Sequence, residues 1–294
     1  MNVRSICVVG VGLIGGSFAQ ALKKSGFNGT ITGVVRDHEN GCEAIRLGVV
    51  DETTCDIAEA ASFADVIILS VPMLSMREQL EKIAPIIQPH TIVTDAGSVK
   101  SSFIVDAQAC LPNLNRVVPG HPIAGKERSG LAAVDPDLYQ NHRILLTPLP
   151  QTDADAVEIV RALWEKIGGI VETVTPDHHD AALAATSHLP HVLAFAMVDM
   201  LASRQEIDEI FRYAAGGFRD FTRIASGEPI MWRDICLTNK EHVYQAISEF
   251  ENHLSAIKAA IANDDAQTLE TVFRRARETR DRHIGSNVGP NAKL

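Results

Sequence analysis

The sequence predicts an α/β domain with a parallel sheet, followed by an all-α domain. Short β-branched segments alternate with helical patterns over about the first 175 residues, which is typical of a doubly wound parallel sheet. After Thr175 the strand patterns disappear, and patterns rich in Ala and Leu predict helices for most of the remainder. We therefore place the domain boundary between residues 1–175 and residues 176–294.

The strands and helices of the first domain follow one another along the chain. Residues 6–9 form the first predicted strand, 13–25 an amphipathic helix and 30–35 the second strand. The nearly continuous apolar run at 64–71 is typical of a strand buried on both faces of a parallel sheet. A further helix begins near residue 153. The remaining predicted strands are 91–94, 116–118, 143–147 and 170–175.

The second domain begins with a clear helix start. Thr175 is a suitable N-cap, Pro176 suits the first helical position, and Asp177 places an acid in the first turn. The helix continues to about residue 203, and Pro190 predicts a kink because it removes a backbone donor. Further helices are predicted over 206–215, 218–225, 230–237, 240–263 and 266–281.

Composition narrows the functional classes. The 294 residues are 46% hydrophobic and carry a net charge of −10, which argues against nucleic-acid binding. We find no signal-peptide pattern and no uninterrupted apolar run of about 18 residues, so we expect no membrane segment. Five scattered cysteines without CxxC spacing indicate a reducing compartment and no cysteine-based metal site. We expect a cytoplasmic enzyme.

A glycine-rich motif connects the first strand to the first helix. Gly10, Gly12 and Gly15 form GxGxxG within a βαβ unit of about thirty residues. Gly10 permits a tight turn, Gly12 lets a pyrophosphate approach, and Gly15 allows close packing of helix on strand. The helix begins with Leu13 and Ile14, and its first turn offers unpaired N–H groups to the phosphates. The motif predicts a dinucleotide-binding Rossmann domain.

The position that usually distinguishes NAD from NADP carries no carboxylate. About 20 residues after Gly15 stands Val35, where an NAD site usually has Asp or Glu for the ribose 2′-OH. Arg36 follows and can pair with a 2′-phosphate. Asp37 is adjacent, so a shift of one residue would restore a preference for NAD. We expect NADP, with NAD as the alternative.

Three strand ends supply polar groups. Ser70-Val71-Pro72 ends the strongest strand, at the carboxyl edge where such sheets bind ligands. Ser98 follows the next strand and can donate or accept a hydrogen bond. His121 stands between two glycines and a proline, which predicts a turn that fixes the direction of the imidazole. His121 is our candidate general base, because an imidazole suits proton removal near pH 7; an exposed loop histidine is the alternative.

Polar residues also interrupt the helical domain. Ser187 and His191 are four residues apart and therefore share a helix face. They are either ligand-binding groups or satisfied core side chains. His188 and His191 are three residues apart, and this spacing argues against a metal site. Arg219 and Arg223 are also four residues apart. We expect one in a salt bridge or in solvent, and the other is a candidate for holding an anionic substrate.

Five motifs in order resemble the prephenate/arogenate dehydrogenase family of tyrosine biosynthesis, from Gly10 to about residue 284. The resemblance implies a Rossmann domain followed by a helical dimerisation domain. It also implies oxidative decarboxylation of a cyclohexadienol to a phenol, with hydride transfer to a nicotinamide. The motifs are GVGLIGGS at 10–17, TDAGSVKS at 94–101, GHPIAGKE at 120–127, SHLPH at 187–191 and GGFRDFTRIA at 216–225.

The same resemblance implies residue roles. His121 takes the proton of the ring hydroxyl, and Ser98 orients that group. Arg223 binds a substrate carboxylate, no metal is implied, and prephenate and arogenate both remain open as substrates. The other implied substrate-pocket residues are Ser187, His191 and Trp232, the last reaching across a homodimer.

Two other functional classes remain open. A β-hydroxyacid dehydrogenase or imine reductase shares this two-domain plan. The hydroxyacid enzymes use a lysine on the long interdomain helix, however, and none occurs between Lys166 and Lys240. A non-catalytic module that senses NADP would need neither a histidine base nor an anion-binding arginine. Residues 285–289 are expected to form a linker.

Overall fold

The computed structural model describes residues 3–126, 128–204 and 207–284. The chain divides into two units, Met1–Val243 and Tyr244–Leu294. The boundary predicted at residue 175 falls within the first unit and stays a prediction. The linker predicted at residues 285–289 lies outside the described residues.

A six-stranded parallel sheet forms the centre of the first unit. Its order is β3–β2–β1–β4–β5–β6, and every neighbouring pair is parallel. The strand order reverses between β1 and β4, which opens a ligand crevice at their carboxyl ends. The predicted α/β class is therefore confirmed. The strands are β1 (Ser5–Val9), β2 (Thr30–Val34), β3 (Glu52–Thr54), β4 (Val66–Leu69), β5 (Ile92–Asp95) and β6 (Val117–Val118).

Helices connect these strands. The first is α1 (Leu13–Lys24), which matches the predicted amphipathic helix. β3 and the helices at 38–46, 57–61 and 76–83 were not predicted from the sequence. The first of these helices has few apolar residues to predict it, because only the small residues Gly41 and Ala44 are buried. The remaining helices of this part are α2 (His38–Arg46), α3 (Ile57–Ala61), α4 (Met76–Ile83) and α5 (Lys100–Cys110).

Three later strands correct the prediction of one continuous sheet. β7 (Gly120–Pro122), β8 (Arg143–Leu146) and β9 (Ile170–Thr173) form a separate sheet, in which β7 runs antiparallel to β8. Only Pro119 separates β6 from β7, and proline ends a ladder because it lacks an N–H. Its carbonyl accepts a hydrogen bond from the Thr147 N–H at 2.9 Å. The chain thus changes sheets at this proline.

His121 consequently lies in a strand rather than in the predicted turn. It stands opposite Leu145 of β8. The flanking glycines and proline suggested a turn, but the pairing with a strand more than twenty residues away extends the segment. This contact is long-range and leaves no local pattern in the sequence. The helix α6 (Ala154–Lys166) connects β8 to β9.

Alternate strand residues fill two apolar clusters. Val66 and Ile68 of β4 belong to one cluster, and Ile67 and Leu69 belong to the other. All four are fully buried, as expected for a strand covered on both faces. The second cluster also takes in Ile235 from the helical part. The helix Pro229–Thr238 therefore packs directly onto the dinucleotide-binding part.

Helices make up the rest of the described chain. Thr175 caps the first of them by accepting a hydrogen bond from the His178 N–H, as predicted. A π-helical turn, Ala184–His188, ends two residues before Pro190, which agrees with the predicted kink. The helices after Thr175 are bounded much as predicted. They are α7 (Pro176–Leu183), α8 (Leu189–Ala202), α9 (Ile207–Arg212), α10 (Gly216–Thr222), α11 (Pro229–Thr238), α12 (Lys240–Ala262) and α13 (Ala266–His283).

The combined stretch from Pro176 to Ala202 is long and apolar enough to cross a membrane, judged by length and composition alone. A core helix of a soluble protein passes the same test. This stretch carries three buried polar side chains, which are His179, Asp180 and His188.

Candidate active site

The glycine loop after β1 has the geometry of a dinucleotide site. Gly10 has φ +95°, and a Cβ there would come 2.6 Å from the Ser70 carbonyl oxygen. Gly15 packs against Ser70 and the Gly10 carbonyl with no room for a side chain. Gly12 faces open space, and α1 begins there without a side-chain cap. These residues fit a pyrophosphate, which would meet the exposed N–H groups of the first turn.

Ser70 shapes this loop from the end of β4. Its hydroxyl donates to the Gly10 carbonyl at 2.7 Å and lies 3.1 Å from the Val9 carbonyl. Val71 lies beside Gly10, and Pro72 leads into a short turn. The predicted segment 70–72 therefore lines the loop, although the hydroxyl of Ser70 is already used by the backbone.

Arg36 and Asp37 follow β2 at the predicted ribose position. Asp37 caps α2: its carboxylate accepts from the Asn40 N–H at 2.9 Å and from the Asn40 side-chain amide at 2.7 Å. Both hydrogen bonds lower the pKa of Asp37. Arg36 is exposed beside it. The carboxylate is thus engaged by its own helix.

His121 belongs to a buried chain of three side chains. Its Nδ1 lies 2.9 Å from Nε2 of His179, and Nδ1 of His179 lies 2.7 Å from Oδ1 of Asp180. His121 is 9% exposed, and the other two are 1% exposed. The alternative of an exposed loop histidine is therefore wrong for His121.

Burial and hydrogen bonds set the protonation states of His121, His179 and Asp180. It lowers the pKa of His121 well below its ordinary value, and positive charge on His179 or Lys100 acts in the same direction. Burial also lowers the pKa of His179, although Asp180 opposes it. Burial alone would raise the pKa of Asp180, but hydrogen bonds from His179, Lys100 and Ser101 outweigh it and lower that pKa to about 2. Near neutral pH the two imidazoles are neutral and the carboxylate is charged.

A fully buried ion pair fixes the backbone at His121. Lys100 pairs with Asp95, and its Nζ donates to the Gly120 carbonyl at 2.7 Å. Asp95 also accepts from the N–H groups of Gly97 at 2.8 Å and Gly120 at 3.0 Å. Burial raises the pKa of Asp95 and lowers that of Lys100, and each partner's charge acts in the opposite sense. The pair joins the end of β5 and the start of β7 to the start of α5.

The structure brings together three of the predicted pocket residues. The His191 ring stacks on Trp232 at 3.7 Å between centroids, and its Nδ1 donates to the Ser187 carbonyl at 2.9 Å. Trp232, expected to reach across a dimer, thus contacts His191 of its own chain. Its indole N–H is buried and has no hydrogen-bond partner among the described residues. Burial also lowers the pKa of His191.

The other predicted residues lie on separate segments. Ser98 is partly buried between β5 and α5, two residues before Lys100. Arg223 begins a short 3-10 turn, Arg223–Ser226, that contacts α8. His188 is a satisfied core histidine, whose Nδ1 lies 3.2 Å from the side-chain amide of Asn239.

Sequence reasoning missed the partners of His121. Asp95 and Lys100 stand in the TDAGSVKS motif, from which only Ser98 was singled out. His179 and Asp180 stand just over one turn into the predicted helix after Thr175. Adjacent His and Asp on a helix near a domain boundary were the available signal. Among the described residues, no group of three or more His, Cys, Asp or Glu side chains is arranged to hold a metal ion.

The glycine loop at the switch in strand order, together with the buried neutral imidazole of His121 in β7, is typical of a nicotinamide-dinucleotide-dependent dehydrogenase. Two family models match consecutive parts of the chain. The prephenate dehydrogenase nucleotide-binding domain matches residues 18–173, and the prephenate dehydrogenase dimerization domain matches residues 175–275. The chain belongs to the prephenate dehydrogenase family, the NAD(P)-dependent oxidoreductases of tyrosine biosynthesis.

Individual relatives agree with this assignment. Cyclohexadienyl dehydrogenase of Zymomonas mobilis is 37% identical over 94% of this chain and 95% of its own length. Prephenate dehydrogenase of Aquifex aeolicus, solved with hydroxyphenyl propionate and NAD+, is 41% identical with a TM-score of 0.89 over 95% of this chain and 98% of that one. Arogenate dehydrogenase of Synechocystis is 28% identical with a TM-score of 0.80 over 96% of this chain and 100% of that one. The family prediction is confirmed, and the two other classes gain no support.

Proposed function

We propose that this chain oxidises and decarboxylates prephenate or arogenate, with the neutral imidazole of His121 as the general base. The buried, hydrogen-bonded His121 is the observation that carries the proposal. An imidazole that stays neutral at physiological pH is ready to accept a proton. The names of the relatives above support both substrates, which share the ring and differ only in a keto or amino side chain.

In this proposal the side chains of the protein remove the proton of the ring hydroxyl and orient the substrate. His121 accepts the proton of the ring hydroxyl, so that the hydroxyl oxygen becomes a carbonyl as hydride leaves its carbon. When bound, the nicotinamide supplies the hydride acceptor. The bond from the ring to its carboxylate breaks with release of CO2, and its electron pair makes the ring aromatic. One base suffices because aromatisation supplies the driving force.

The other residues bind and orient the substrate in this proposal. Ser98 hydrogen-bonds the ring hydroxyl, and Arg223 pairs with a substrate carboxylate. Ser187 and His191 line the pocket, and Trp232 closes it. The buried indole N–H without a partner supports the last role, since such a donor is costly unless a ligand meets it.

We propose NADP as the preferred cofactor. The exposed guanidinium of Arg36 and the use of both Asp37 oxygens on Asn40 support this choice. The Aquifex relative was solved with NAD+, and NAD is therefore the alternative. Gly10, Gly12 and Gly15, with Leu13 and Ile14, would hold the pyrophosphate in either case, and the segment 70–72 would complete the loop.

We further propose a cytoplasmic homodimer. The dimerization-domain match supports it, as does α8, where Ala194 is the one buried residue and Met197 and Met200 are exposed. An apolar face of this kind is better explained by a second subunit than by solvent. A fully active monomer in light scattering would contradict the proposal.

The test is a matrix of two substrates and two cofactors. Purified protein is incubated with prephenate or arogenate and with NADP or NAD, and the absorbance of the reduced cofactor is followed. We expect reduction with at least one substrate, faster with NADP, and none when a simple β-hydroxyacid replaces it. No reduction in any combination, by protein that binds a nicotinamide dinucleotide, would reject the proposed function.

A further inference from the structure

His179 and Asp180 have no part in the function proposed so far, yet both are buried, His179 in contact with His121 and Asp180 in contact with His179. Asp180 lies on α7, and its carboxylate receives hydrogen bonds at 2.8 Å from the N–H groups of Lys100 and Ser101. These N–H groups begin α5, which has no side-chain cap of its own. The helix end favours a negative charge on this carboxylate. Asp180 is therefore a fixed acceptor.

Because Asp180 is a fixed acceptor, it determines which ring nitrogens of His179 and His121 carry a proton. Since the Asp180 carboxylate can only accept, Nδ1 of His179 must carry a proton and donate to it. Nε2 of neutral His179 is then an acceptor, so Nδ1 of His121 must donate to it. Nε2 of His121 is left without a proton. This is the form of the imidazole that a general base requires.

We propose that His179 and Asp180 are positioning residues that hold His121 in this tautomer and share the proton it receives. The inference rests on the proposed function, because it assigns His121 the role of base. Asp180 orients His179, and His179 orients His121. Neither of them touches the substrate.

The proton transfers between the substrate, His121 and His179 balance. Nε2 of His121 takes the substrate hydroxyl proton, and Nδ1 of His121 can pass its own proton to Nε2 of His179. The positive charge then lies on His179, against the Asp180 carboxylate at 2.7 Å. When the Nε2 proton of His121 leaves to solvent, the Nδ1 proton returns from His179 and restores the starting state.

Other charged groups also face the two imidazoles. Lys100 and His188 disfavour positive charge on His121, while Asp95 is engaged by Lys100 and by two backbone N–H groups. Asp180 is thus the one described carboxylate hydrogen-bonded to either histidine. Its removal should make protonation of the pair less favourable.

The first test uses Asp180→Asn. An amide cannot accept from all three donors that now point at the carboxylate, so its NH2 group imposes the opposite tautomer or breaks a helix contact. The equivalent change in a Ser–His–Asp triad costs about 10⁴-fold in kcat. We expect kcat to fall about 10²- to 10⁴-fold while KM stays within about threefold. The acid limb of the kcat profile should move to lower pH by about one unit or more.

His179→Gln provides a second variant with the same readouts. A glutamine can accept from His121 but cannot take up a proton, so kcat should fall at least about tenfold. Matched controls stand on the same helix. His178→Gln and Asp177→Asn change exposed neighbours, and both should keep kcat within about twofold. Thermal unfolding and cofactor binding establish that each variant is folded.

A purely structural role predicts a different outcome. Folded variants that keep near-normal kcat would overturn the proposal. So would variants whose kcat falls while the acid limb stays at its wild-type pH, because the loss would then not arise from the ionisation of His121.

The closing experiment separates this inference from the proposed function. Protein labelled with 15N-histidine is studied near neutral pH by long-range 1H–15N correlation, which reports the tautomer of each ring without turnover. His121→Asn and His179→Gln identify the two spin systems. We expect the Nδ1–H form for both histidines, and loss of that form for His121 in Asp180→Asn. A proton on Nε2 of wild-type His121 would overturn the inference even if the enzyme turns over, and the expected tautomers would uphold it even if the tested substrates fail.

Discussion

The Asp95–Lys100 ion pair offers the sharpest stability prediction. Replacing Lys100 by Met removes the donor to Asp95 and to the Gly120 carbonyl, at a site where both charged side chains are 0% exposed. Asp95 is then a buried carboxylate supported by two backbone N–H groups alone. Breaking a buried pair from one side costs about 3–5 kcal/mol. We expect Lys100→Met to lose that much free energy of unfolding.

Two further variants define the cause of this loss. Asp95→Asn combined with Lys100→Met removes both charges, and we expect it to recover part of the loss because no buried charge is left unpaired. Lys82→Met breaks an exposed pair with Glu78 at 2.7 Å and should cost at most about 1 kcal/mol. Urea unfolding, followed by tryptophan fluorescence and by circular dichroism, gives the free energies.

The kinetic consequence follows from the contact with Gly120. Because the lysine holds the residue before His121, folded Lys100→Met should also lose kcat by tenfold or more, as expected when a base is displaced by about 1 Å. A loss of stability below about 1 kcal/mol, equal to that of Lys82→Met, would refute the reasoning. Such a result would mean that the buried pair contributes no more to the free energy of unfolding than an exposed pair does.

Three other predictions concern the cofactor, the substrate and acid stability. Arg36→Ala should reduce the ratio of kcat/KM for NADP over NAD by about ten- to a hundredfold, since a charge-assisted contact contributes about 1.5–3 kcal/mol; a wild-type preference for NAD would contradict it. Arg223→Ala should chiefly raise KM for the substrate with little change in kcat, because a carboxylate contact is present in both ground and transition states; an equal loss in kcat would assign it to the transition state. Burial lowers the pKa of His188 to about 4, so the folded state binds fewer protons than the unfolded state below pH 6.5. Stability is therefore retained above pH 6.5 and should fall by about 3 kcal/mol between pH 6.5 and pH 4, whereas His188→Gln should flatten that part of a curve of unfolding free energy against pH.

Local patterns predicted much of the fold and the cofactor loop. Gly10, Gly12 and Gly15 were recognisable from their spacing between a strand and a helix, and the positions of Gly10 and Gly15 have no room for a side chain. Thr175 caps its helix as its residue type indicates. The second sheet was beyond local reasoning, because β7 owes its strand conformation to pairing with β8. Strand β4 was predictable because all of its residues are buried, which requires an uninterrupted apolar run in the sequence.

The candidate site was predicted less completely than the fold. His121 was found from its glycine and proline neighbours, but its partners are brought in from other segments. Asp180 is 59 residues away in sequence and serves as the cap of a helix that lacks its own. A cap supplied across the fold, like a buried ion pair between a strand end and a helix start, has no signature at either end alone.

The direct test of the central claim compares wild type with His121→Asn using the preferred substrate and cofactor. The rates of cofactor reduction and CO2 release are measured together across pH. We expect equal rates of both in wild type, with an acid limb below pH 6.5 because burial lowers the pKa of His121. An ordinary, solvent-exposed imidazole would place this limb at about 6.5. In His121→Asn both rates should fall about 10²- to 10⁴-fold, with KM nearly unchanged and the acid limb absent. A variant with near-normal rates and an intact acid limb would contradict the account and place the base elsewhere.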